Sequence, residues 1–359
     1  MRKAYKYRLF PPDAQHQALD AQLREACRLY NAALHERRDA SQKSGVSLTY
    51  DDQANQLKEI RRAGDGALAH YSACQDVLRR VEKTFKAFFR RVKAGQKAGY
   101  PRLKSRRRFD RYTWPSYGDG CRLTGSRLDV QGIGHLKVKL HRPVAGTLKT
   151  ITVKRACGKW YACWRVEVAG EPLPDTDTDT GIDVGLTAFA TLADGTTIDN
   201  PRYYQRAQAK MRLAQRRVAR RKGGGKNRRK AVLLLQKAHA KIKNQRSDLQ
   251  HKVARQLVNA SGMIAVEDVH IKGLASGRLA KSVNDAGWSS FIAKLADKAA
   301  EAGRTLRKVD ARGTSQTCLC GAEVRKTLAQ RWHQCPDCGV SAARDHVSAQ
   351  RMLGLGLSL

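Results

Sequence analysis

The spacing of hydrophobic positions first predicts one strand and then a group of helices. Residues 3–10 alternate basic with apolar or aromatic side chains, which indicates a strand, and two prolines end it. Apolar residues then recur with the period of a helix. Three helices are predicted, at residues 13–40, 50–62 and 67–93. Residues 11–95 are therefore expected to form a small helical unit inserted after one strand.

The pattern changes to short alternating segments between Cys121 and Val168. These segments are separated by Gly and Pro, and they lie at residues 127–130, 134–140, 150–154 and 159–168. Strands of this length and spacing predict a small β-barrel or sandwich, and we expect the first strand to join it. A polar linker that contains proline, residues 171–180, then precedes a second domain.

The second domain mixes strands with helices, which predicts a multidomain α+β protein. Strands are predicted at residues 181–186, 188–192, 263–267 and 305–309. Two antiparallel helices joined at Gly223–Gly225 are predicted between the second and third of these strands. A further helix is expected at residues 286–302, and a last helix from about Asp345.

Charge narrows the choice of partners. The chain has 69 Lys and Arg against 32 Asp and Glu, a formal net charge of +37, and an isoelectric point near 10.3. Such a surplus predicts a polyanionic partner. Nucleic acid is favoured over an anionic membrane, because the basic stretches lack the Trp, Phe and Leu face of surface helices. A ribosomal or chromatin-like binding protein stays open as an alternative.

Neither a membrane span nor a signal peptide is predicted. The chain has no run of about 18 apolar residues, and its first ten residues contain no continuous apolar stretch. We therefore expect a cytoplasmic protein without a membrane partner.

Positive charge is concentrated in one long segment. Residues 200–247 contain no Asp or Glu, and residues 206–246 contain 16 Lys and Arg. A solvated helical face normally mixes both signs, so this segment predicts phosphate contact. A second basic segment is the loop at residues 100–112. The candidate nucleic-acid contacts in these two segments are Arg102, Lys104, Arg106, Arg107, Arg216, Arg217, Arg220 and Arg221.

Three acidic residues stand out against this basic background. Asp183 lies in a strand between two glycines, Glu267 ends an apolar strand, and Asp345 begins a helix, where a simple N-cap is the alternative. Asp268 should point to the opposite face of its strand and is a weaker candidate. A basic protein that gathers carboxylates is expected to hold divalent cations against a polyanion, which predicts a metal-dependent nuclease.

The order acid on a strand, acid on a strand and acid on a helix is similar to that of RNase H-like nucleases, including the RuvC type. In such sites the carboxylates hold two divalent cations about 3.5–4 Å apart. Mg²⁺ suits oxygen ligands together with substrate phosphate, and Mn²⁺ is the alternative. Two such ions are therefore expected at Asp183, Glu267 and Asp345.

Four of the nine cysteines lie within 21 residues, in a C-x-C pair and a C-x-x-C-G knuckle. In a cytoplasmic protein this clustering predicts one structural zinc ion rather than disulfides, and chance clustering of thiols is the alternative. His333 is close enough in sequence to replace one ligand. The expected zinc ligands are Cys318, Cys320, Cys335 and Cys338.

Over nearly its whole length the sequence resembles TnpB, the nuclease encoded by small bacterial insertion sequences and related to type V CRISPR effectors. The segments that carry the resemblance are residues 88–90, 97–104, 181–186, 285–291, 313–318 and 335–339. The resemblance implies an RNA-guided DNA endonuclease associated with a transposable element. By position, Asp183, Glu267 and Asp345 match the family's catalytic triad.

The resemblance also implies a domain layout. A β-barrel wedge domain at residues 1–10 and 96–172 would carry a helical recognition lobe at 11–95. A RuvC-like nuclease domain at residues 173–310 and 340–359 would be interrupted by a zinc ribbon at 311–339. Two departures from the family stand out: the first cysteine pair is one residue shorter than usual, and Val347-Ser348 occupies the place of a common Asn-Ala.

The implied partners are a guide RNA derived from the element end and double-stranded DNA that carries a short adjacent motif. One protein is expected to bind each RNA. The complex is expected in the bacterial cytoplasm, where it would act at the nucleoid. Comparison with the family suggests that Tyr50, Gln75, Ser116 and Tyr117 face the motif. Two alternatives stay open: a guided repressor without cleavage, which intact acids disfavour, and a structural RNA-binding protein with a zinc ribbon.

Overall fold

The computed structural model of the chain describes residues 1–62, 70–310, 312–327 and 329–359. The chain divides into two compact units, Met1–Val168 and Ala169–Leu359. In the described part of the chain, no helix is both long enough and apolar enough to cross a membrane.

The helices of the first unit follow the predicted periodicity. They are α1 (Asp13–Ser44), α2 (Tyr50–Arg62) and α3 (Tyr71–Lys93). Helix α1 runs one turn further than predicted, until Gly45 takes a left-handed conformation with φ of 66°. The predicted start of the third helix, residues 67–69, lies outside the described residues.

A buried polar contact ties the three helices together. Arg37 of α1 donates to Gln53 of α2 at 2.8 Å and forms an ion pair of 2.6 Å with Glu82 of α3. The Arg37 side chain is only 6% exposed. Removing Glu82 would leave the buried Arg37 charge without its ionic partner, which is strongly destabilising.

The strands of the first unit form one antiparallel sheet. They are β1 (Arg2–Phe10), β2 (Arg111–Trp114), β3 (Cys121–Thr124), β4 (Arg127–Val130), β5 (Gly134–Lys139), β6 (Thr147–Ala156) and β7 (Lys159–Glu167). The order is β2-β6-β7-β1-β5-β4-β3, so the first strand joins the sheet as predicted. Across the described residues the ladder runs from β2 to β3 without closing. The predicted barrel is therefore a half-barrel.

The sheet and the helices of the first unit share one hydrophobic core. Trp114, Trp160 and Trp164 are fully buried on the sheet, and Leu19 and Tyr30 of α1 belong to the same cluster. The alternation of buried and exposed positions along β7 explains why its sequence predicted a strand with one apolar face. Each fully buried side chain of this size contributes about 1.5–3 kcal/mol of hydrophobic stabilisation.

The second unit is built on a mixed sheet. Its strands are β8 (Thr180–Asp183), β9 (Ala188–Leu192), β10 (Thr197–Asp199), β11 (Met263–Glu267) and β12 (Thr305–Val309). The order is β10-β9-β8-β11-β12, in which β11 is parallel to both β8 and β12 and β9 is antiparallel to its neighbours. The small hairpin β13 (Trp332–Gln334) and β14 (Ser341–Ala343) lies outside this sheet.

The helices of the second unit cover the sheet and extend from it. They are α4 (Tyr203–Ala219), α5 (Lys226–Ala260), α6 (Ile271–Leu274), α7 (Ala280–Ala286), α8 (Trp288–Glu301) and α9 (Arg344–Leu357). The predicted helix at residues 286–302 is broken at its start, because Gly287 takes φ of 69° and ends α7. Strands β9, β11 and β12 have their predicted bounds, whereas β8 ends at Asp183.

Helix α9 packs unusually close to the sheet through glycines. A Cβ atom placed on Gly181 of β8 would lie 2.0 Å from the carbonyl oxygen of Ala349. On α9 itself, a Cβ on Gly356 would lie 2.6 Å from the Cβ of Ala265. A larger residue at either position would push the helix away from the sheet. The two glycines therefore allow α9 to lie directly against β8 and β11.

Candidate functional site

The end of the central strand pair brings two of the predicted acids side by side. Strands β8 and β11 are parallel, and Ile182 lies opposite Val266. Asp183 and Glu267 are the next residues on each strand, so they leave the sheet at the same edge. Neighbouring strands are about 4.8 Å apart, which places both carboxylates on one small patch.

The third acid arrives on helix α9. Asp345 lies in the first turn of α9, whose N-cap position is Ala343 without a side-chain cap. A simple N-cap role for Asp345 is therefore wrong. Two neighbours fix this turn: Arg344 pairs with Asp345 at 3.3 Å, and His346 contacts the carbonyl oxygen of Ala193 at 3.1 Å. The N-terminus of a helix also favours a negative charge.

The other two acids act electrostatically on Asp183. The pKa of Asp183 is raised to about 7, first by burial and then by the negative charges of Asp345 and Glu267, while Arg344 lowers it. Burial also raises the pKa of Glu267, and a hydrogen bond from Thr314 lowers it. We call Asp183, Glu267 and Asp345 the acid cluster.

The donors in the acid cluster fit hard divalent cations. All three offer carboxylate oxygens, the ligands that Mg²⁺ prefers. The raised pKa of Asp183 reports mutual repulsion and desolvation that a bound cation would relieve. The weaker candidate Asp268 lies outside the cluster, since its exposed carboxylate pairs with Lys308 at 3.2 Å.

The four clustered cysteines converge as a metal site requires. Their sulfur atoms all lie within 4.8 Å of one another. Cys318 and Cys338 are 3.5 Å apart and Cys320 and Cys335 are 3.7 Å apart, measured between Sγ atoms. Sulfurs at about 2.3 Å from a tetrahedral zinc are about 3.8 Å from one another. The short C-x-C pair therefore still completes a set of four that fits zinc.

In the second knuckle, the surroundings of Cys335 favour its thiolate form. The pKa of Cys335 is lowered to about 7, mainly because the backbone N–H groups of Cys338 and Asp337 point at its sulfur. The predicted substitute ligand, His333, is not part of the sulfur cluster. Its ring is buried and its Nδ1 atom contacts the Lys326 ammonium.

The acid-free segment forms a hairpin of two helices. Helices α4 and α5 are joined by residues 220–225, and Arg228 closes the turn by donating to the carbonyl oxygens of Val218 and Arg221 at 2.8 and 2.9 Å. We call this element the basic hairpin. The four arginines predicted to contact nucleic acid are all exposed near its tip: Arg216, Arg217, Arg220 and Arg221.

The basic loop of the first unit separates into two kinds of residue. Arg102, Arg106 and Arg107 are exposed. Lys104 is held inward instead: Asn31 binds its backbone at 2.8 and 2.9 Å, and its ammonium lies 4.1 Å from the ring centroid of Tyr30. Its cation–π contact gives Lys104 a structural role that sequence analysis did not predict.

The residues expected to face the DNA motif lie around the start of α3. Gln75 and Arg79 are one turn apart on α3, and the Arg79 guanidinium lies 5.3 Å from the ring centroid of Tyr50. The loop that carries exposed Ser116 is joined to the same end of α3, because Asp119 pairs with His70 at 3.1 Å.

Tyr117 differs from the other three residues. Its hydroxyl lies 3.3 Å from both the backbone N–H and the carbonyl oxygen of Leu123. The hydroxyl is therefore engaged within the sheet.

Sequence analysis missed one buried carboxylate that anchors the basic hairpin. Asp285 of α7 accepts hydrogen bonds from the backbone N–H groups of Tyr204 and Gln205 at the start of α4, and it pairs with Arg246 of α5 at 3.0 Å. Asp285 begins one of the segments that carry the family resemblance, but a lone Asp in a sequence carries no signal of a distant helix end.

Family profiles match three parts of the chain. The profile of OrfB of IS605, described as a probable transposase, matches residues 161–278, and a Cas12f1-like TNB domain matches residues 288–352. A profile described as a helix-turn-helix domain matches residues 1–45. In this structure those residues form strand β1 and the single helix α1 rather than a helix-turn-helix.

Full-length relatives give the family. A Streptomyces pristinaespiralis protein named as an RNA-guided DNA endonuclease is 31% identical over 376 residues, covering 100% of this chain and 90% of the relative. InsQ of Escherichia coli K12, named likewise, is 28% identical over 99% of this chain and 92% of InsQ. The fold resembles that of Cas12f1 in its complex with guide RNA and target DNA, with a TM-score of 0.60 and 17% sequence identity. The match covers 94% of this chain and 82% of the Cas12f1 chain. The chain therefore belongs to the TnpB family of RNA-guided DNA endonucleases.

Proposed function

We propose that this protein cleaves DNA under the guidance of an RNA, with divalent cations at the acid cluster, and that it belongs to a transposable element. The observation that supports the proposal is that Asp183 and Glu267 end neighbouring parallel strands, with the charge of Asp345 close enough to raise the pKa of Asp183, in a chain of net charge +37. A carboxylate cluster repels nucleic acid unless cations occupy it. Positive charge elsewhere holds the polyanion, so cleavage is confined to the cluster.

Two Mg²⁺ or Mn²⁺ ions, when bound by the three carboxylates, would supply an activated water and stabilise the leaving oxygen of a phosphodiester. The chain's own part is to orient the carboxylates and to release the proton that Asp183 retains near neutral pH. Arg344 partly neutralises the cluster and ties Asp345 to the end of the hairpin β13–β14 through the backbone of Arg331.

For the domain layout we propose the one that the family resemblance implies. We assign residues 1–10 and 96–172 to a wedge domain, 11–95 to a recognition lobe, 173–310 and 340–359 to a RuvC-like nuclease domain, and 311–339 to a zinc ribbon. The acids at the ends of β8 and β11 and at the start of α9 support the nuclease assignment. The four-cysteine cluster supports the ribbon, with Cys318, Cys320, Cys335 and Cys338 as zinc ligands.

The partners are a folded guide RNA and a double-stranded DNA target. The basic hairpin presents exposed arginines in a segment without acids, so we assign its tip to the phosphates of a folded RNA, which proteins recognise mainly through backbone and shape. Tyr50, Gln75 and Ser116 are assigned to the DNA motif, because they gather around the start of α3. An amide such as that of Gln75 can bind adenine through two hydrogen bonds in the major groove.

The test is cleavage of plasmid DNA by the purified complex with its co-purified RNA, using targets matched to that RNA. Asp183→Ala, Glu267→Ala and Asp345→Ala should each abolish cleavage while target binding survives, because each removes a cation ligand and little basic surface. Asp268→Ala is the matched control: it deletes an acid one residue from Glu267 but outside the cluster, and it should cleave normally.

The outcomes separate the alternatives. Normal cleavage by any of the three cluster variants would remove that residue from the site. Guided binding by the wild type without cleavage at any Mg²⁺ or Mn²⁺ concentration would favour a repressor. RNA binding without guided DNA binding would favour a structural RNA-binding protein.

A further inference from the structure

One hydroxyl group outside the acid cluster contacts it directly. Thr314 donates a hydrogen bond to Oε1 of Glu267 at 3.0 Å, and its side chain is buried, with the residue only 4% exposed. Thr314 follows strand β12 on a turn that begins at Gly313, where φ is 73°. The hydroxyl thus reaches the end of β11 from a different part of the chain.

The bond restricts how Glu267 can point. Glu267 ends β11, and beyond the strand only its own side-chain torsions would set the position of its carboxylate. The hydrogen bond from Thr314 to Oε1 therefore restricts rotation of the carboxylate. A metal-binding carboxylate is commonly oriented by such a hydrogen-bonded neighbour.

The turn that carries Thr314 is itself held in place. The backbone N–H groups of Gln316 and Thr317 both donate to the carbonyl oxygen of Gly313 at 2.9 Å. The Gln316 side-chain amide bonds the backbone of Lys326 in both directions, at 2.6 and 2.8 Å. Thr314 therefore lies on a hydrogen-bonded turn, residues 313–317, that leads directly into the first cysteine pair.

The segment that contains this turn and Cys318 is also hydrogen-bonded to α9, the helix that carries the third acid. Arg351 of α9 donates to the carbonyl oxygen of Cys318 at 2.9 Å. Asp345 lies in the first turn of the same helix. Residues 314–318, which lead into the cysteine cluster, thus contact both β11 and α9, two of the three elements that carry the acids.

We infer that Thr314 is a positioning residue that orients the Glu267 carboxylate for a divalent cation. The turn at residues 313–317, next to the first cysteine pair, holds the Thr314 hydroxyl in place. The inference rests on the proposed function only in that the cation is taken to bind at the acid cluster. A competing explanation is that Thr314 merely fills a buried space. The two explanations differ in whether the hydroxyl or the volume matters.

The experiment compares side chains that differ by the hydroxyl alone: Thr314 with Thr314→Val, and Thr314→Ser with Thr314→Ala. Mn²⁺ is the probe, and its binding to the zinc-loaded protein–RNA complex is measured by electron paramagnetic resonance. Asp183→Ala supplies the baseline, because the binding that it loses belongs to the acid cluster. The Mn²⁺ concentration for half-maximal cleavage is measured in parallel.

Loss of the hydroxyl should weaken Mn²⁺ binding at the acid cluster by about 10- to 100-fold, the usual effect of removing a group that orients a metal ligand. Thr314→Ser should stay within about threefold of the wild type. Zinc content and guide RNA binding should not change. Thr317→Val is the matched control, because its hydroxyl bonds Gly313 on the same turn and does not touch Glu267.

Two results would overturn the inference: wild-type Mn²⁺ affinity in Thr314→Val, or equal losses in Thr314→Ser and Thr314→Ala. If Thr314→Val loses zinc, the Ser and Ala pair decides alone. A wild type that binds Mn²⁺ at the cluster but never cleaves would refute the proposed function and leave the binding comparison valid. Conversely, cleavage that needs Asp183 but ignores the Thr314 hydroxyl would refute only the inference.

Discussion

Replacing Asp183 with Asn should stabilise the protein when no divalent cation is available. The side chains have nearly the same shape, but Asn cannot ionise. In the folded protein the pKa of Asp183 is raised from 3.8 to about 7 by burial and by its acidic neighbours. The wild-type protein must therefore ionise a carboxyl group in an unfavourable place as the pH rises.

The size and sign of the effect follow from this shift. At about 1.36 kcal/mol per unit, a shift of about three units means that ionised Asp183 costs the folded state up to ~4 kcal/mol. A raised folded-state pKa stabilises the fold below the unfolded pKa, and this contribution is lost as the pH rises through about 7. The advantage of the variant should therefore grow by about 1.4 kcal/mol per pH unit between pH 5.5 and 7 and then level off.

Thermal unfolding of the zinc-loaded protein gives the measurement, in magnesium-free buffer without a chelator, so that zinc is retained. In a unit of this size, 1 kcal/mol changes Tm by about 2–4 °C, so the variant should melt up to about 8–16 °C above the wild type at pH 8. Saturating Mg²⁺ should reduce or reverse the difference, because only the wild type keeps all three ligands.

Asp268→Asn is the control for a general effect of removing acid from a basic protein. Its partner Lys308 is exposed, so the change should stay within about 1 kcal/mol at every pH. If Asp183→Asn is no more stable than the wild type at pH 8, or if its advantage does not depend on pH, the acids do not repel one another as described.

Three further predictions concern the other sites. Cys335→Ser should reduce bound zinc below about half an equivalent by metal analysis and unfold the ribbon, because a structural zinc supplies folding energy directly; full zinc occupancy would contradict this. Replacing the four exposed arginines at the tip of the basic hairpin with Gln should lower the log–log salt slope of RNA binding by about 0.7–0.9 for each phosphate that the variant no longer neutralises, with zinc content unchanged; an unaltered slope would mean that the hairpin does not bind the RNA. Gln75→Ala should relax the preferred base at one position of the flanking motif in a randomised-flank cleavage assay; an unchanged motif would remove Gln75 from its recognition.

Periodicity predicted most of the secondary structure because each element buries one face. Strands β9, β11 and β12 have their predicted bounds, and the three helices of the first unit were all predicted. A β-barrel or sandwich was predicted where the structure has a half-barrel, since strand length and spacing do not say whether the two outer strands meet. The break at Gly287 was missed, because a glycine within a helical pattern carries no mark of the left-handed conformation it takes here.

The candidate site shows the same limit at the level of single residues. The order of the acids along the chain suggested a cluster, but only the register of β8 and β11 places Asp183 beside Glu267. Thr314 and Asp285 lie in segments that resemble the family, yet their roles depend on contacts with residues far away in sequence. Such contacts are set by tertiary packing and leave no local pattern.

The close packing of α9 on β8 has a consequence for when the site is completed during synthesis of the chain. Asp183 is synthesised early in the second unit, whereas Asp345 follows only after the basic hairpin, the remaining strands and the cysteine cluster have been made. Because α9 must dock against Gly181 before Asp345 can join the other acids, a partly synthesised chain can already fold its first unit while lacking a complete site. If the acid cluster is the cleavage site proposed above, a nascent chain on the ribosome should be unable to cut nearby DNA until α9 has been made and has docked.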